Sequence, residues 1–266
     1  MKEILIENQA VEVHDLTVVY DRKPALWDID FVLPKGKLIG VIGPNGSGKS
    51  TLIKAMMDIV DKSSGWVKLF GQPIEKVRHK VSYVPQRESV DWDFPTNVWD
   101  VVMMGRYGRK SILKRASKLD KEIVHQSLEK VGMLPFKNRQ IAQLSGGQQQ
   151  RVFMARALAE QAELYLMDEP FAGVDAATEN SIFEVFQEIR DSGKTMMVVH
   201  HDLQSAAKYF DWIVLLNTRL VAYGKIEDVF TDEHMEEAYG GQLSVLNQVH
   251  EILRQKQYPI REKQPR

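Results

Sequence analysis

The sequence predicts an α/β fold, and three observations carry that prediction. Apolar runs of strand length, among them Leu38 to Ile42, Leu164 to Met167 and Thr195 to Val199, alternate with segments of helical periodicity. The first run breaks into the glycine-rich turn GPNGSGKST, Gly43 to Thr51, in the strand, loop and helix-start order that the pattern G-x-x-x-x-G-K-[ST] requires. The chain has 266 residues and 44% hydrophobic content, enough for a substantial core in one α/β domain with room for a smaller subdomain.

The turn is a P-loop, and its chemistry follows from residue type. Its N–H groups must point inward at one anion, and the sequence reading is that Cβ atoms at Gly43, Gly46 and Gly48 would block that approach. Gly43, Pro44, Asn45, Gly46, Ser47, Gly48, Lys49, Ser50 and Thr51 are therefore expected to cradle a phosphate chain. The helix that follows adds the positive end of its dipole, Lys49 reaches the β- and γ-phosphates, and the Ser50 hydroxyl is placed to ligate Mg²⁺.

Bulk properties narrow the function classes. A formal net charge of -1 provides no overall field toward nucleic acid or an anionic membrane. The absence of cysteine excludes disulfides and thiolate metal sites and fits a reducing compartment. The start, MKEILIENQAVEV, has no apolar stretch of signal length, and no segment approaches the roughly 18 continuous apolar residues of a membrane span. The expectation is a protein that neither spans a membrane nor carries an export signal.

In chain order, Val11 to Tyr20 approaches period two and Asp21 to Pro24 reads as a hairpin turn into a second strand, Ala25 to Leu33. Tyr20, at the strand end, is either an adenine-stacking ring or an ordinary half-buried strand tyrosine. After the P-loop come a helix, about Lys49 to Ile59, and strands Gly65 to Phe70 and Val81 to Val84, the second ending at Gln86. From Gln86 to Leu144 the chain reads as a mostly helical insertion, with helices near Val98 to Gly105 and from Asp120 to Val131. Arg106 to Lys118 holds six Lys/Arg and no acid, which suits either a contact with headgroups or an acidic partner loop, or a solvated surface.

LSGGQ follows, with Ser145 as N-cap of a helix to about Glu160 and two glycines that admit a phosphate to the exposed N–H groups. The apolar run Leu164 to Met167 delivers Asp168 and Glu169, read as pointing to opposite sides: Asp168 toward Mg²⁺ through its shell, Glu169 toward the attacking water. Helix Thr178 to Asp191 ends at Ser192-Gly193, and strand Thr195 to Val199 runs into His200-His201-Asp202. Either histidine alone reads as structural or metal-ligating. As part of a series of polar strand ends, one of them reads as a γ-phosphate contact. Closing strands follow at Trp212 to Leu216 and Leu220 to Tyr223, periodicity fades after Gly240-Gly241, and the tail from Arg254 is basic and contains proline.

The order GPNGSGKST, Gln86, LSGGQ, LYLMDEP, Val174-Asp175 and His201 resembles the nucleotide-binding subunits of ABC transporters over about residues 10 to 235. The resemblance implies a P-loop NTPase (RecA-like) core with an antiparallel β subdomain and a helical subdomain inserted at about 87–160. Residues 1–240 would form one nucleotide-binding domain and 241–266 a C-terminal extension. It makes Tyr20 the adenine-stacking aromatic, Gln86 the sensor of γ-phosphate and metal, Glu169 the catalytic base, Asp175 the cross-dimer aspartate and His201, which directly precedes an Asp, the switch histidine. Lys49 joins Glu169, His201 and Gln86 in catalysis, while Ser50, Gln86 and Asp168 hold the Mg²⁺ that accompanies ATP. Where Ala172 stands, many members have a serine.

DWDFPTNVWDVVMMGRYG, Asp91 to Gly108, and VVHHDLQ, Val198 to Gln204, look like the ATPase subunits of importers for manganese, zinc or iron, manganese foremost. No transported-metal site is expected in this chain, because the ion would pass through other subunits. The expected assembly is a head-to-tail homodimer in which Ser145, Gly146, Gly147, Gln148 and Asp175 complete the partner's ATP site. It would sit on the cytoplasmic face of the membrane against permease subunits, with an extracytoplasmic metal-binding protein engaged indirectly and no nucleic acid. A non-transport ABC ATPase for DNA, ribosomes or iron-sulfur assembly is the alternative, opposed by the single cassette and the lack of a long coiled-coil insertion. A P-loop kinase or GTPase-like switch is a further rival, in which LSGGQ has no role.

Overall fold

The computed structural model describes residues 8–107 and 115–240. In chain order the elements are β1 (Gln9–Tyr20), β2 (Lys23–Pro34), β3 (Leu38–Ile42), α1 (Lys49–Met56), β4 (Ser64–Leu69), α2 (Ile74–Val77), β5 (Val81–Val84), α3 (Val98–Tyr107), α4 (Lys118–Lys130), α5 (Gly146–Ala159), β6 (Leu164–Met167), α6 (Ala176–Asp191), β7 (Thr195–Val199), α7 (Leu203–Tyr209), β8 (Trp212–Asn217), β9 (Arg219–Lys225), α8 (Ile226–Val229) and α9 (Asp232–Tyr239). The basic segment expected to meet headgroups or a partner lies largely outside the described residues, as does the expected extension 241–266.

The strands form two sheets. An antiparallel sheet has the order β2-β1-β4, and a six-stranded sheet has the order β5-β6-β7-β3-β8-β9, parallel except for β9. The apolar runs of the larger sheet are buried on both faces, which explains why they read as continuous rather than alternating. Leu164, Leu166, Met197, Val199, Val214 and Leu216 face a core shared with β1, β2 and α1. Their neighbours Tyr165, Met167, Met196, Val198, Ile213 and Leu215 face the core built with the helices α3 to α7.

Several boundaries differ from expectation. The β1–β2 turn is only Asp21-Arg22, both left-handed at φ 46 and 67, so the second strand starts at Lys23 and includes Pro24. A proline is tolerated there because β2 is the sheet's edge strand. Helix α1 stops at Met56 rather than Ile59. Asp58 turns left-handed at φ 56, and the Ile59 and Asp58 N–H groups donate back to the Lys54 and Ala55 carbonyls, closing the helix end without a glycine. Helices α4 and α6 begin earlier than expected because Ser117 and Asp175 cap them.

Arg106, expected in a basic surface stretch, is instead 6% exposed and holds the helices together. Its Nε donates to Asp120 of α4 at 3.2 Å and its Nη1 to the Ala159 carbonyl at the end of α5. The acid that neutralises it lies just beyond the segment in which none was found.

Candidate nucleotide-binding site

Four adjacent parallel strands, β5, β6, β7 and β3, all run the same way, so their carboxyl ends open on one edge of the sheet. There β5 leads to Gln86, β6 to Asp168 and Glu169, β7 to His200 and His201, and β3 to Gly43. These residues are far apart in sequence and are brought together by strand order alone, at the edge where open α/β sheets bind ligands.

The protein's own atoms constrain the P-loop glycines in different ways. A Cβ on Gly43 would stand 2.0 Å from the Leu216 carbonyl oxygen, and one on Gly48 would stand 2.4 Å from that of Ala25. Both are demanded by the protein's own backbone. At Gly46 a Cβ would meet nothing within 4 Å, and what calls for glycine is the left-handed φ of 79. The Lys49 ammonium is buried and donates to the carbonyls of Gly43 at 2.9 Å and Pro44 at 2.8 Å. Burial pulls its pKa down, opposed by the charges of Glu169 and Asp168.

Opposite lies a pair of acids with unlike surroundings. Asp168 is fully buried; its Oδ1 accepts from the Ser50 hydroxyl at 2.8 Å, and its Oδ2 is buried with no hydrogen-bond partner. Burial raises its pKa, with the Ser50 bond acting the other way. Glu169 is partly exposed, and its Oε2 accepts from Gln86 Nε2 at 3.2 Å. The two carboxylates diverge for a reason other than strand alternation. Strand β6 ends at Met167, and Glu169 sits at φ 50, a left-handed turn that redirects its side chain. A hydroxyl, a carboxylate with an unpaired buried oxygen and an amide make a hard oxygen donor set, so Ser50, Asp168 and Gln86 fit a Mg²⁺ ion.

A cleft of about 230 Å³ is lined by Tyr20, Ala25, Asn45, Gly46, Ser47, Gly48, Lys49, Ser50, Thr51 and Glu169. Tyr20 is 46% exposed on its wall, more open than a packed strand tyrosine. Gly43 and Pro44 lie beneath it through Lys49, and Gln86 and Asp168 join it through Glu169 and Ser50. Ser145, Gly146, Gly147, Gln148, Asp175 and His201 do not line it. Ser145 caps α5 in a reciprocal pair with Gln148. Asp175 caps α6 through the Thr178 N–H and hydroxyl, which hold its carboxylate below the usual pKa range. Gly147 packs so closely on the Gly173 carbonyl that a Cβ would stand 2.8 Å from it.

Two further residues belong to this edge. Arg87 donates to Gln149 Oε1 from both Nε and Nη2, linking the residue after Gln86 to helix α5. His200 is 2% exposed, and burial, reinforced by His201, lowers its pKa to about 4, whereas His201 is exposed. Arg87 carried a signal in adjoining Gln86; the enclosure of His200 carried none.

Away from the cleft, His14, Asp15 and Asp30 of the three-stranded sheet bring ligand atoms within 4.8 Å of one another. His14 bonds Asp30 at 2.6 Å, the first cause of its raised pKa, and the group is explained as an exposed ion pair. Among the described residues no helix is long and apolar enough to cross a membrane.

A family model described as ABC transporter matches residues 26–172. The chain is 56% identical over 236 residues to the manganese transport system ATP-binding protein of Bacillus subtilis, covering 89% of this chain and 94% of that protein. It is 53% identical over 244 residues to the zinc transport system ATP-binding protein of Treponema pallidum, covering 92% of each. Among solved structures, an ATP-binding subunit of an ABC transporter aligns with a TM-score of 0.74 at 24% identity, over 92% of this chain and 99% of that one, a likeness of fold.

Proposed function

The chain belongs to the ABC transporter family, and from that premise we propose that it is the ATP-hydrolysing subunit of an importer for a divalent metal ion, manganese first. The observation that supports this most is the convergence of Gln86, Asp168-Glu169, His201 and the P-loop on one sheet edge, in a chain about half identical to manganese and zinc transport ATP-binding proteins.

In this reading Tyr20 stacks on adenine, the Gly43 to Thr51 backbone cradles the phosphates, and Lys49 exchanges its two carbonyl bonds for phosphate oxygens. Ser50, Asp168 and Gln86 would hold Mg²⁺, which would supply positive charge to the phosphate chain. Glu169 accepts a proton from water as the water oxygen bonds the γ-phosphorus, and the bond to the β–γ bridging oxygen breaks, giving ADP and phosphate. His201 contacts the γ-phosphate. A second copy, turned head to tail, supplies Ser145, Gly146, Gly147, Gln148 and Asp175. The dimer works at the cytoplasmic face of the membrane, bound to permease subunits that receive the ion from an extracytoplasmic metal-binding protein.

Reconstitution with the permease in sealed vesicles tests the assignment. ATP on the ATPase side should drive manganese accumulation, and Lys49→Ala should abolish it. Uptake of zinc alone would move the substrate to that ion, in line with the zinc transport relative. Uptake of none of manganese, zinc and iron, with ATP turnover intact, would overturn the importer reading.

A further inference from the structure

We infer that His200 is a positioning residue of this ATPase: its Nε2 closes onto Glu179 Oε1 and ties the end of β7, which carries His201, to the helix that Asp175 caps. The inference rests on reading the cleft as a hydrolytic site.

His200 Nε2 and Glu179 Oε1 are both buried, both lack a hydrogen-bond partner, and stand 3.8 Å apart. That is about 1 Å beyond a normal bond between nitrogen and oxygen. Two buried polar atoms left open to each other are costly, and a small shift of α6 toward β7 would satisfy both at once. Beyond Glu179, the imidazole's ring neighbours are mostly aromatic hydrocarbon, His201 at a ring-centroid distance of 5.6 Å being the polar one. Phe171, Phe183 and Phe210 stand around it with ring centroids at 5.4, 5.7 and 5.7 Å. An aromatic hydrocarbon would suit that cage but leave Glu179 Oε1 buried with nothing to answer it, so packing alone does not explain a histidine here. The ring is neutral at ordinary pH, and a neutral imidazole carries one N–H, which on Nε2 has Glu179 as its acceptor.

The position of this pair gives the bond its consequence. The His200 N–H donates to the Val41 carbonyl at 3.1 Å, two residues before Gly43 of the P-loop. His201 follows immediately, then Asp202, the cap of α7. On the other side Glu179 lies in the first turn of α6, and its N–H donates to the Asp175 carbonyl at 2.9 Å. One side-chain bond therefore joins the strand end bearing the proposed phosphate contact to the segment bearing the proposed cross-dimer aspartate. Movement of Asp175 by a partner subunit would be felt at His201.

The test compares steady-state ATP hydrolysis of the full chain in His200→Phe, Glu179→Ala and their combination, with melting temperatures measured alongside. Each single change should lower kcat about five- to tenfold, the effect of one hydrogen bond in a rate, while KM for ATP moves less than about twofold. The double variant should be no slower than the slower single, because both remove the same bond. His200→Gln, which keeps an N–H donor, and Glu179→Gln, which keeps an acceptor, should restore most of the rate. Wild-type kcat in His200→Phe, or losses that multiply in the double variant, would overturn the proposal. If His200→Phe does not fold, Glu179→Ala against Glu179→Gln decides, equal rates counting against it. Glu169→Gln serves as a separate control: an inactive Glu169→Gln beside an unaffected His200→Phe defeats the positioning role alone, whereas full turnover in Glu169→Gln defeats the hydrolytic reading beneath it.

Discussion

His200 shows how one enclosed side chain sets a pH dependence for the whole fold. Its pKa falls from 6.5 to about 4 in the folded protein, chiefly because burial disfavours the charged ring. Between those two values the unfolded chain binds a proton that the folded chain refuses. Stability from this residue is therefore fully present above about pH 6.5 and is lost as the pH falls toward 4, by roughly 3 kcal/mol at full extent. Chemical denaturation at several pH values should show His200→Phe losing less stability than wild type on going from pH 7 to pH 4.5. Parallel curves would mean that the native ring takes up a proton as readily as the unfolded chain does. The mild-acid side of this protein's stability is thus tied to the same imidazole that faces Glu179.

The elements divide into those whose cause is local and those whose cause is distant. The P-loop is local: Gly43 to Thr51 could be read from residue spacing because strand, turn and helix follow one another within the motif. What spacing did not reveal is which glycine answers to what. Gly48→Ala puts a Cβ 2.4 Å from the Ala25 carbonyl oxygen and holds alanine at φ 96, whereas Gly46→Ala strains the backbone at φ 79 with open space around it. Gly46→Ala should cost about 1 kcal/mol of unfolding free energy and Gly48→Ala at least about twice that, measured by urea denaturation. Equal costs would mean that the β2 carbonyl yields freely. Strands of the larger sheet were legible because burial on both faces leaves long apolar runs. The ends of α1 and β2 were not, since Asp58, Asp21 and Arg22 adopt left-handed angles that glycine or asparagine usually marks. Helices α2 and α7 to α9, of four to eight residues, are too short for a period of 3.6 to emerge, and unlike the equally short α1 none of them begins in a motif. Within the site, Lys49, Asp168 and Glu169 stand in motifs and could be named. The cage around His200 draws Phe171, Phe183 and Phe210 from separate segments, so no window of sequence contains it.

At the scale of the whole molecule, the unanswered feature is a helix start without a role in its own cleft. Ser145 to Gln148 opens α5 with an exposed cap and half-buried glycines, yet the cleft at the P-loop is lined without it. Gly147 rests on the Gly173 carbonyl, so this turn and the Asp175 loop are neighbours and would move together. Two such groups on one patch, both outside the subunit's own site, are what a head-to-tail dimer needs to complete a neighbour's phosphate pocket. Mixing Lys49→Ala subunits with Ser145→Arg subunits discriminates between the arrangements. In a composite dimer the heterodimer has one site carrying both lesions and one carrying neither, so ATP retention should exceed that of either mutant alone. Recovery should approach about half of the wild-type sites per heterodimer, with turnover recovering less if the two sites are coupled. Were each site built within one chain, every subunit would keep its own lesion and mixing would change nothing. Nucleotide retained after gel filtration, measured across mixing ratios, gives the answer, and a flat dependence on ratio would rule out the shared site.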